Sequence, residues 1–243
     1  MSRPPTFFTT GIEEDVVTLR GEAYHHLRNV LRSIRGDRVI LTDGHRRVAG
    51  TVYEMGRGYA RIAVEGEVPS PDGGVPIVLA QGIAKGKKMD WIVEKATELG
   101  VRRIVPLAME RSVPRYDDEA SRRRRERWTR HAQAACRQSG NLIPIVERPQ
   151  PLSEFLGHPF SGLGLLLWEE APPGSLHACL ARKETPTEIR VIVGPEGGIT
   201  PQEVEAAVGA GYLSVSLGPA RLRTETAALS ILAIVQHRFG VLG

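Results

Sequence analysis

The sequence predicts a two-part α/β protein: a small β-barrel with one helix, then a parallel sheet covered by helices on both faces. Three observations predict it. Short runs rich in Val, Ile, Thr and Tyr, separated by Gly or Asp, fill most of the first part. From position 77 onward, apolar strand-like runs alternate with segments of helical period, the pattern of a parallel sheet. Between the two lies Pro69-Ser70-Pro71-Asp72-Gly73-Gly74-Val75-Pro76, where two turn signals stand side by side with the composition of a linker. The predicted domains are therefore 1–72 and 73–243, and a chain of 243 residues has room for both.

In the first part, residues 16–19, 38–42, 48–54 and 59–64 read as strands. A helix over 22–32 interrupts them, with Ala23, Leu27, Val30 and Leu31 at helical spacing. In the second part, 77–83 reads as a buried strand. Met89, Ile92, Val93, Ala96 and Leu99 then mark an amphipathic helix that stops at Gly100. The remaining strands are expected at 104–108, 163–167, 189–193 and 212–217. The remaining helices are expected at 119–139, 176–182, 201–208 and 224–239. The last helix is apolar nearly all round, from Ala227 to Val235, so it is expected to be buried on more than one side or to form a subunit interface.

Composition narrows the function classes. Apolar residues make up 41% and charged residues 25%, which excludes a disordered chain. The densest apolar run, 227–235, falls far short of the roughly 20 residues of a membrane span. The start, Met1-Ser2-Arg3-Pro4-Pro5-Thr6-Phe7-Phe8, has no apolar stretch of a secretory signal, and a cytoplasmic location is expected. Cys136 and Cys179 belong to no C-x-x-C pair, and the seven His residues form no metal-ligand spacing, so no metal site is expected. The net charge of +4 comes from the second part, and 27 of the 32 basic residues are Arg. That balance mildly favours a polyanionic partner.

Ligands of parallel sheets bind beyond the carboxyl ends of the strands. The strand ending at Val193 runs into Gly194-Pro195-Glu196-Gly197-Gly198-Ile199-Thr200-Pro201-Gln202-Glu203. Three glycines allow close backbone approach, and Thr200, Pro201 and Glu203 make a capping box. The run is no dinucleotide fingerprint, because G-P-E-G-G lacks the spacing. A second Gly-Pro loop, Leu217-Gly218-Pro219-Ala220-Arg221-Leu222-Arg223, follows the next strand and leads into Thr224, the expected N-cap. Arg223 sits badly with the positive end of a helix dipole, so it either has a separate task or pairs with Glu225 on the surface. Gly82-Ile83-Ala84-Lys85-Gly86-Lys87-Lys88 is one residue short of a phosphate loop, and Lys88 replaces its Ser or Thr, so nucleotide hydrolysis is rejected. Arg122-Arg123-Arg124-Arg125-x-Arg127 is either a solvated helix face or a phosphate contact.

Together these residues resemble the bacterial 16S ribosomal RNA uridine-N3 methyltransferases, a family of the SPOUT class that uses S-adenosylmethionine (SAM). The two Gly-Pro segments carry the resemblance. So do His25-His26-Leu27-Arg28-Asn29-Val30-Leu31-Arg32, Gly36-Asp37, Asp43-Gly44, and Lys85-Gly86-Lys87-Lys88-Met89-Asp90. Glu94-Lys95-Ala96-Thr97-Glu98-Leu99-Gly100, Glu110-Arg111-Ser112 and Gln138-Ser139 complete it. One departure is Asn141, which follows Gly140 where members of the family usually carry an Arg.

The resemblance implies a PUA-like RNA-binding barrel followed by a SPOUT methyltransferase domain with a trefoil knot. It implies a homodimer with the active site at the subunit interface, acting on 16S ribosomal RNA of the small subunit near the decoding site. The implied SAM pocket takes in Leu167, Val193, Gly194, Gly198, Leu217, Gly218 and Leu222, with Pro195, Glu196, Arg223, Thr226 and Ala227 beside them. The implied RNA contacts are Arg3, His25, Arg28, Arg32, Lys85, Lys87 and Lys88. Removing the N3 proton of uracil leaves charge on the ring oxygens, and Arg223 is expected to stabilise it. Either Glu225 or Glu196 is the base, or holds Arg223. Two other readings stand beside this one: a non-catalytic RNA-binding protein, and a SPOUT methyltransferase of transfer RNA. The paired Gly-Pro loops argue against the first and the N-terminal motifs against the second.

Overall fold

The structure is a computed structural model that describes residues 4–9, 11–12, 15–69, 74–112, 117–181, 184–240 and 242. It forms two compact units, Met1–Pro71 with Cys136–Ile143, and Asp72–Ala135 with Pro144–Gly243.

The first unit is a five-stranded sheet in the order β1-β3-β4-β5-β2. Its strands are β1 (Thr6–Phe8), β2 (Val16–Arg20), β3 (Arg38–Thr42), β4 (Arg47–Gly56) and β5 (Tyr59–Glu67). Strands β1 and β3 run parallel; the other pairs are antiparallel. Alternation puts Val17, Leu19, Val39, Leu41, Val52, Ala60 and Ile62 on one buried face, with Leu27 packed among them. Two register shifts between β4 and β5, at Ala49/Gly50 and Val52/Glu54, curl the sheet in the way bulges do. Gly50 is required there, since a Cβ would fall 2.6 Å from Ile62 Cγ2 and 2.8 Å from the Ala63 carbonyl oxygen.

The helix expected over 22–32 is corrected by the structure. It begins as α1 (Gly21–His25) and widens into a π-helical turn over His26–Val30, closed by the Leu31 N–H donating to the His26 carbonyl. The extra residue in the turn rotates Val30 and Leu31 out of the core, so only Leu27 is buried. The chain leaves through Arg32 at φ +55°.

The second unit has a parallel sheet in the order β12-β10-β11-β6-β7-β8, with β9 also beside β7. The strands are β6 (Ile77–Gly82), β7 (Arg103–Ala108), β8 (Ile145–Val146), β9 (Gln150–Pro151), β10 (Leu163–Leu167), β11 (Ile189–Val193) and β12 (Leu213–Val215). Strands β6 and β10 are buried at every position, as continuous apolar runs between helical layers should be. The helices are α2 (Lys88–Glu98), α3 (Asp118–Ser139), α4 (Leu152–Gly157), α5 (Ser175–Leu180), α6 (Pro201–Gly209) and α7 (Thr224–Phe239). Helix α2 stops as expected at Gly100, whose φ of +75° suits glycine. Strands β1, β8 and β9 and helix α4 were not expected, and β12 is three residues shorter than expected. Helix α7 buries Ala228, Ile231, Leu232 and Val235, while Ile234 is exposed. Among the described residues, no helix is long and apolar enough to cross a membrane, and no group of three His, Cys, Asp or Glu side chains could hold a metal ion.

Candidate active site

Strands β12, β10 and β11 are neighbours, so the segments leaving their carboxyl ends start side by side. Leu167 ends β10 and Val193 ends β11, both buried; Leu217 follows β12 half-buried.

The loop after β11 packs too closely to admit a Cβ at Gly194 or Gly197, or at Gly82 facing it. A Cβ on Gly82, at the end of β6, would lie 2.5 Å from the Pro195 nitrogen. A Cβ on Gly197 would lie 2.7 Å from Arg111 Cβ, and the Arg111 guanidinium donates to the Gly197 carbonyl at 3.2 Å. Gly198 takes φ +77°. The expected capping box is present: the Glu203 N–H donates to Thr200 Oγ1, and the Thr200 N–H to Glu203 Oε2. The second Glu203 oxygen accepts from the Glu110 N–H at 2.9 Å. Glu110 and Arg111 thus hold the loop from outside, while the Ser112 hydroxyl bonds back to Met109 and Leu107.

The Glu196 carboxylate accepts from the Lys85 N–H at 3.0 Å and from Lys88 Nζ at 3.0 Å. Burial pushes its pKa up, but the hydrogen bonds from its own backbone, Lys88 and Lys85 outweigh that, and the net pKa is lowered. Glu196 is held ionised, with its oxygens occupied.

The structure corrects the expected role of Thr224. Arg223 is the N-cap residue of α7, and Thr224 opens the helix with its hydroxyl turned inward. Thr224 Oγ1 donates to the Gly194 carbonyl at 2.6 Å and accepts from Gln81 Nε2 at 2.9 Å. Gln81, wholly buried in β6, also donates to the Gly82 carbonyl at 2.9 Å and lies 3.3 Å from the Gly194 oxygen. One buried relay therefore ties the first Gly-Pro loop to the helix that ends the second. Gln81 Oε1 has no hydrogen-bond partner among the described residues, and neither does the buried Glu225 Oε2. Sequence reasoning missed Gln81, although an amide inside an otherwise apolar strand was the available signal.

In the second loop, Gly218 takes φ +117°, and its N–H is 3.2 Å from Ser216 Oγ. Arg221 pairs with Glu169, beyond β10, at 3.1 Å. Leu222, Arg223 and Thr226 are exposed and Ala227 half-buried. No ion pair joins Arg223 to Glu225 among the described residues, so the surface-pair reading of Arg223 loses its partner.

The site lies inside a segment with known counterparts. Residues 71–236 match the RNA methyltransferase domain. The chain belongs to this family. Among its relatives, the ribosomal RNA small subunit methyltransferase E of Bacillus subtilis is 30% identical over 93% of this chain and 91% of that protein. The protein of that name from Synechocystis is 32% identical over 91% and 73%. A crystal structure of the Neisseria gonorrhoeae protein of that name, bound to S-adenosyl methionine, superposes with a TM-score of 0.73. It is 30% identical and covers 99% of this chain and all of that one. A Legionella pneumophila methyltransferase structure with bound SAM gives 0.67, at 29% identity over 98% and 99%.

In this RNA methyltransferase domain the expected RNA contacts divide. Lys85 and Lys87 are exposed, whereas Lys88 is bound to Glu196. The arginine run of α3 is largely engaged: Arg123 with Glu119, Arg125 with the Val146 carbonyl, and Arg127 with the buried Asp90. In the first unit His25, Arg28 and Arg32 are exposed. Asn141 is buried, its carbonyl accepting from the Cys136 thiol, so it presents no cation or amide to solvent there. Arg3 lies outside the described residues.

Proposed function

We propose that this protein is a SAM-dependent SPOUT methyltransferase that methylates N3 of a uridine in 16S ribosomal RNA. The carrying observation is the set of three loops at adjacent strand ends, two of them locked together by Gln81 and Thr224. The residues fit such a cofactor. Gly198 and Gly218 expose bare backbone at positive φ, no atom lies within 4 Å of where a Gly218 Cβ would stand, and Glu225 Oε2 is a buried acceptor awaiting a donor. Leu167, Val193, Gly194, Pro195, Gly198, Leu217, Gly218, Leu222, Thr226 and Ala227 are proposed to line the SAM site. When bound, SAM supplies a methyl group activated on a sulfonium.

Arg223, exposed and unpaired at the start of α7, is proposed to stabilise the charge left on the uracil ring. Of the two carboxylates left open by the sequence, Glu225 is the proposed proton acceptor. Glu196 is already occupied by Lys85 and Lys88 and is poorly basic, so its proposed role is to hold the first loop. The return of α7 from edge strand β12 to Gln81 of β6 supports a knotted chain. Exposed Trp91 and Ile234, on the mutually packed α2 and α7, support a homodimer through these helices. The first unit is proposed as the domain that docks the RNA. The test is mass mapping of 16S RNA from cells with and without this protein. Loss of one N3-methyluridine on deletion is expected; an unchanged methylation map overturns the reading.

A further inference from the structure

The first unit presents a cluster that the cofactor site does not explain. In residues 28–35, three large apolar side chains face solvent: Val30 is 59% exposed, Leu31 40% and Ile34 67%. Arg28, Arg32 and Arg35 alternate with them. Elsewhere in this unit Arg38, Arg46 and Arg61 are in ion pairs, with Glu65, Glu67 and Glu54. Arg28, Arg32 and Arg35 make no ion pair among the described residues.

Hydrogen bonds and a ring contact anchor the cluster to the rest of the unit. Tyr24 below it donates to the Gly56 carbonyl at 2.9 Å, His26 packs edge-on against Phe7, and Asp37 accepts from the Ile34 N–H at 2.9 Å. Arg32 is the one non-glycine residue at positive φ among the described residues, a conformation in which glycine would be less strained.

We infer that this apolar tip, Val30, Leu31 and Ile34, is a wedge that packs against RNA bases while Arg28, Arg32 and Arg35 hold the adjacent phosphates. The inference rests on the reading of the protein as an enzyme of ribosomal RNA. Guanidinium groups grip phosphate oxygens, and apolar side chains placed between them fill gaps in a base stack. A second copy of this chain would set arginine against arginine. A lipid surface calls for a long amphipathic helix, and here a five-residue helix runs into a five-residue π turn.

The test uses the full-length protein and in vitro transcribed small-subunit RNA. The doubly substituted L31S/I34S protein should melt as the parent does, bind SAM equally, and bind this RNA about tenfold more weakly. Its log K against log salt should keep the parent slope, whereas Arg35→Ala should flatten that slope by about 0.7. RNA affinity unchanged in L31S/I34S overturns the wedge, and so does a salt slope unchanged in Arg35→Ala. It is equally overturned if the double substitution abolishes binding to phosphatidylglycerol vesicles, or alters sedimentation of the protein alone, while RNA binding stays at the parent value. Methyl transfer from SAM by the parent separates the two levels. Transfer with unaltered L31S/I34S binding removes the wedge alone; a parent that neither binds nor methylates the RNA removes the wedge and the proposed function together.

Discussion

Replacing Thr224 with Val keeps the shape of the side chain and deletes one hydroxyl. That hydroxyl donates to the Gly194 carbonyl at 2.6 Å and accepts from Gln81 at 2.9 Å, in a place closed to water. A buried polar group left unpaired costs about 1–3 kcal/mol. Two groups lose a partner, but Gln81 Nε2 already lies 3.3 Å from the Gly194 oxygen and can swing toward it. The partial repair puts the expected cost near the low end of the sum, about 2 kcal/mol. For a chain of this size that lowers the melting temperature by about 4–8 °C. The same displacement frees the first Gly-Pro loop from the helix, so SAM affinity should fall about tenfold, equivalent to about 1.4 kcal/mol. Thr224→Ser retains the hydroxyl and loses a methyl group worth about 0.8 kcal/mol, so its SAM affinity should stay close to the parent value. Calorimetric titration with SAM and thermal unfolding of the three proteins make the comparison. A Val variant that binds SAM like the parent, or a Ser variant as impaired as the Val variant, refutes the relay as the element that sets the loop.

Gly218→Val should abolish SAM binding in calorimetry while the first unit still folds. No neighbour crowds its Cβ position, so the loss comes from a φ of +117° that valine avoids. Arg223→Ala should lower the single-turnover rate about 10²–10³-fold, or roughly 3–4 kcal/mol, with SAM affinity little changed. Arg223→Lys should recover little, because a point charge lacks the planar fork, and raising the pH should partly restore the alanine variant. Glu196→Gln tests the lowered carboxylate pKa. A carboxylate stabilised when folded contributes stability above its unfolded pKa and loses it as pH falls through the folded value. Urea unfolding should therefore separate parent from variant at neutral pH, and the gap should narrow as the pH falls below the ordinary carboxylate range. A gap that persists in acid assigns the loss to packing instead.

The elements that the sequence specified well are those in which local signals and burial agree. Strand β3, strands β10 and β11, and helix α7 fall on the expected bounds, because their apolar runs are long enough to carry a period and turn residues close them. The elements that escaped are two to six residues long, β1, β8, β9 and α4, and such lengths hold no period. The π turn escaped for a different reason. Ala23, Leu27, Val30 and Leu31 satisfy a helical spacing whether or not the last turn widens, and only the i→i−5 bond from Leu31 to His26 reveals that Val30 and Leu31 point outward. Strand β12 ends early because the Ser216 N–H leaves the sheet for Ser175 Oγ, a partner 41 positions away.

The candidate site divides along the same line. Its glycines and the capping box on α6 were legible because each is a local demand of the backbone: a positive φ, a close approach, an unpaired N–H at a helix start. Thr224 obeyed a local rule on paper, since a threonine before an apolar helix is an ordinary N-cap. In the fold, the Gly194 carbonyl, 30 positions away and buried, competes for the same hydroxyl. A buried carbonyl without a partner costs more than an N–H at a helix end that water can reach, so the distant acceptor wins. Gln81 follows from that outcome, because the hydroxyl that donates to Gly194 leaves an acceptor facing β6, and an amide fills it from 143 positions away. Local rules thus locate the two loops, while a demand for buried hydrogen bonds, which no spacing in the sequence encodes, fastens them to each other.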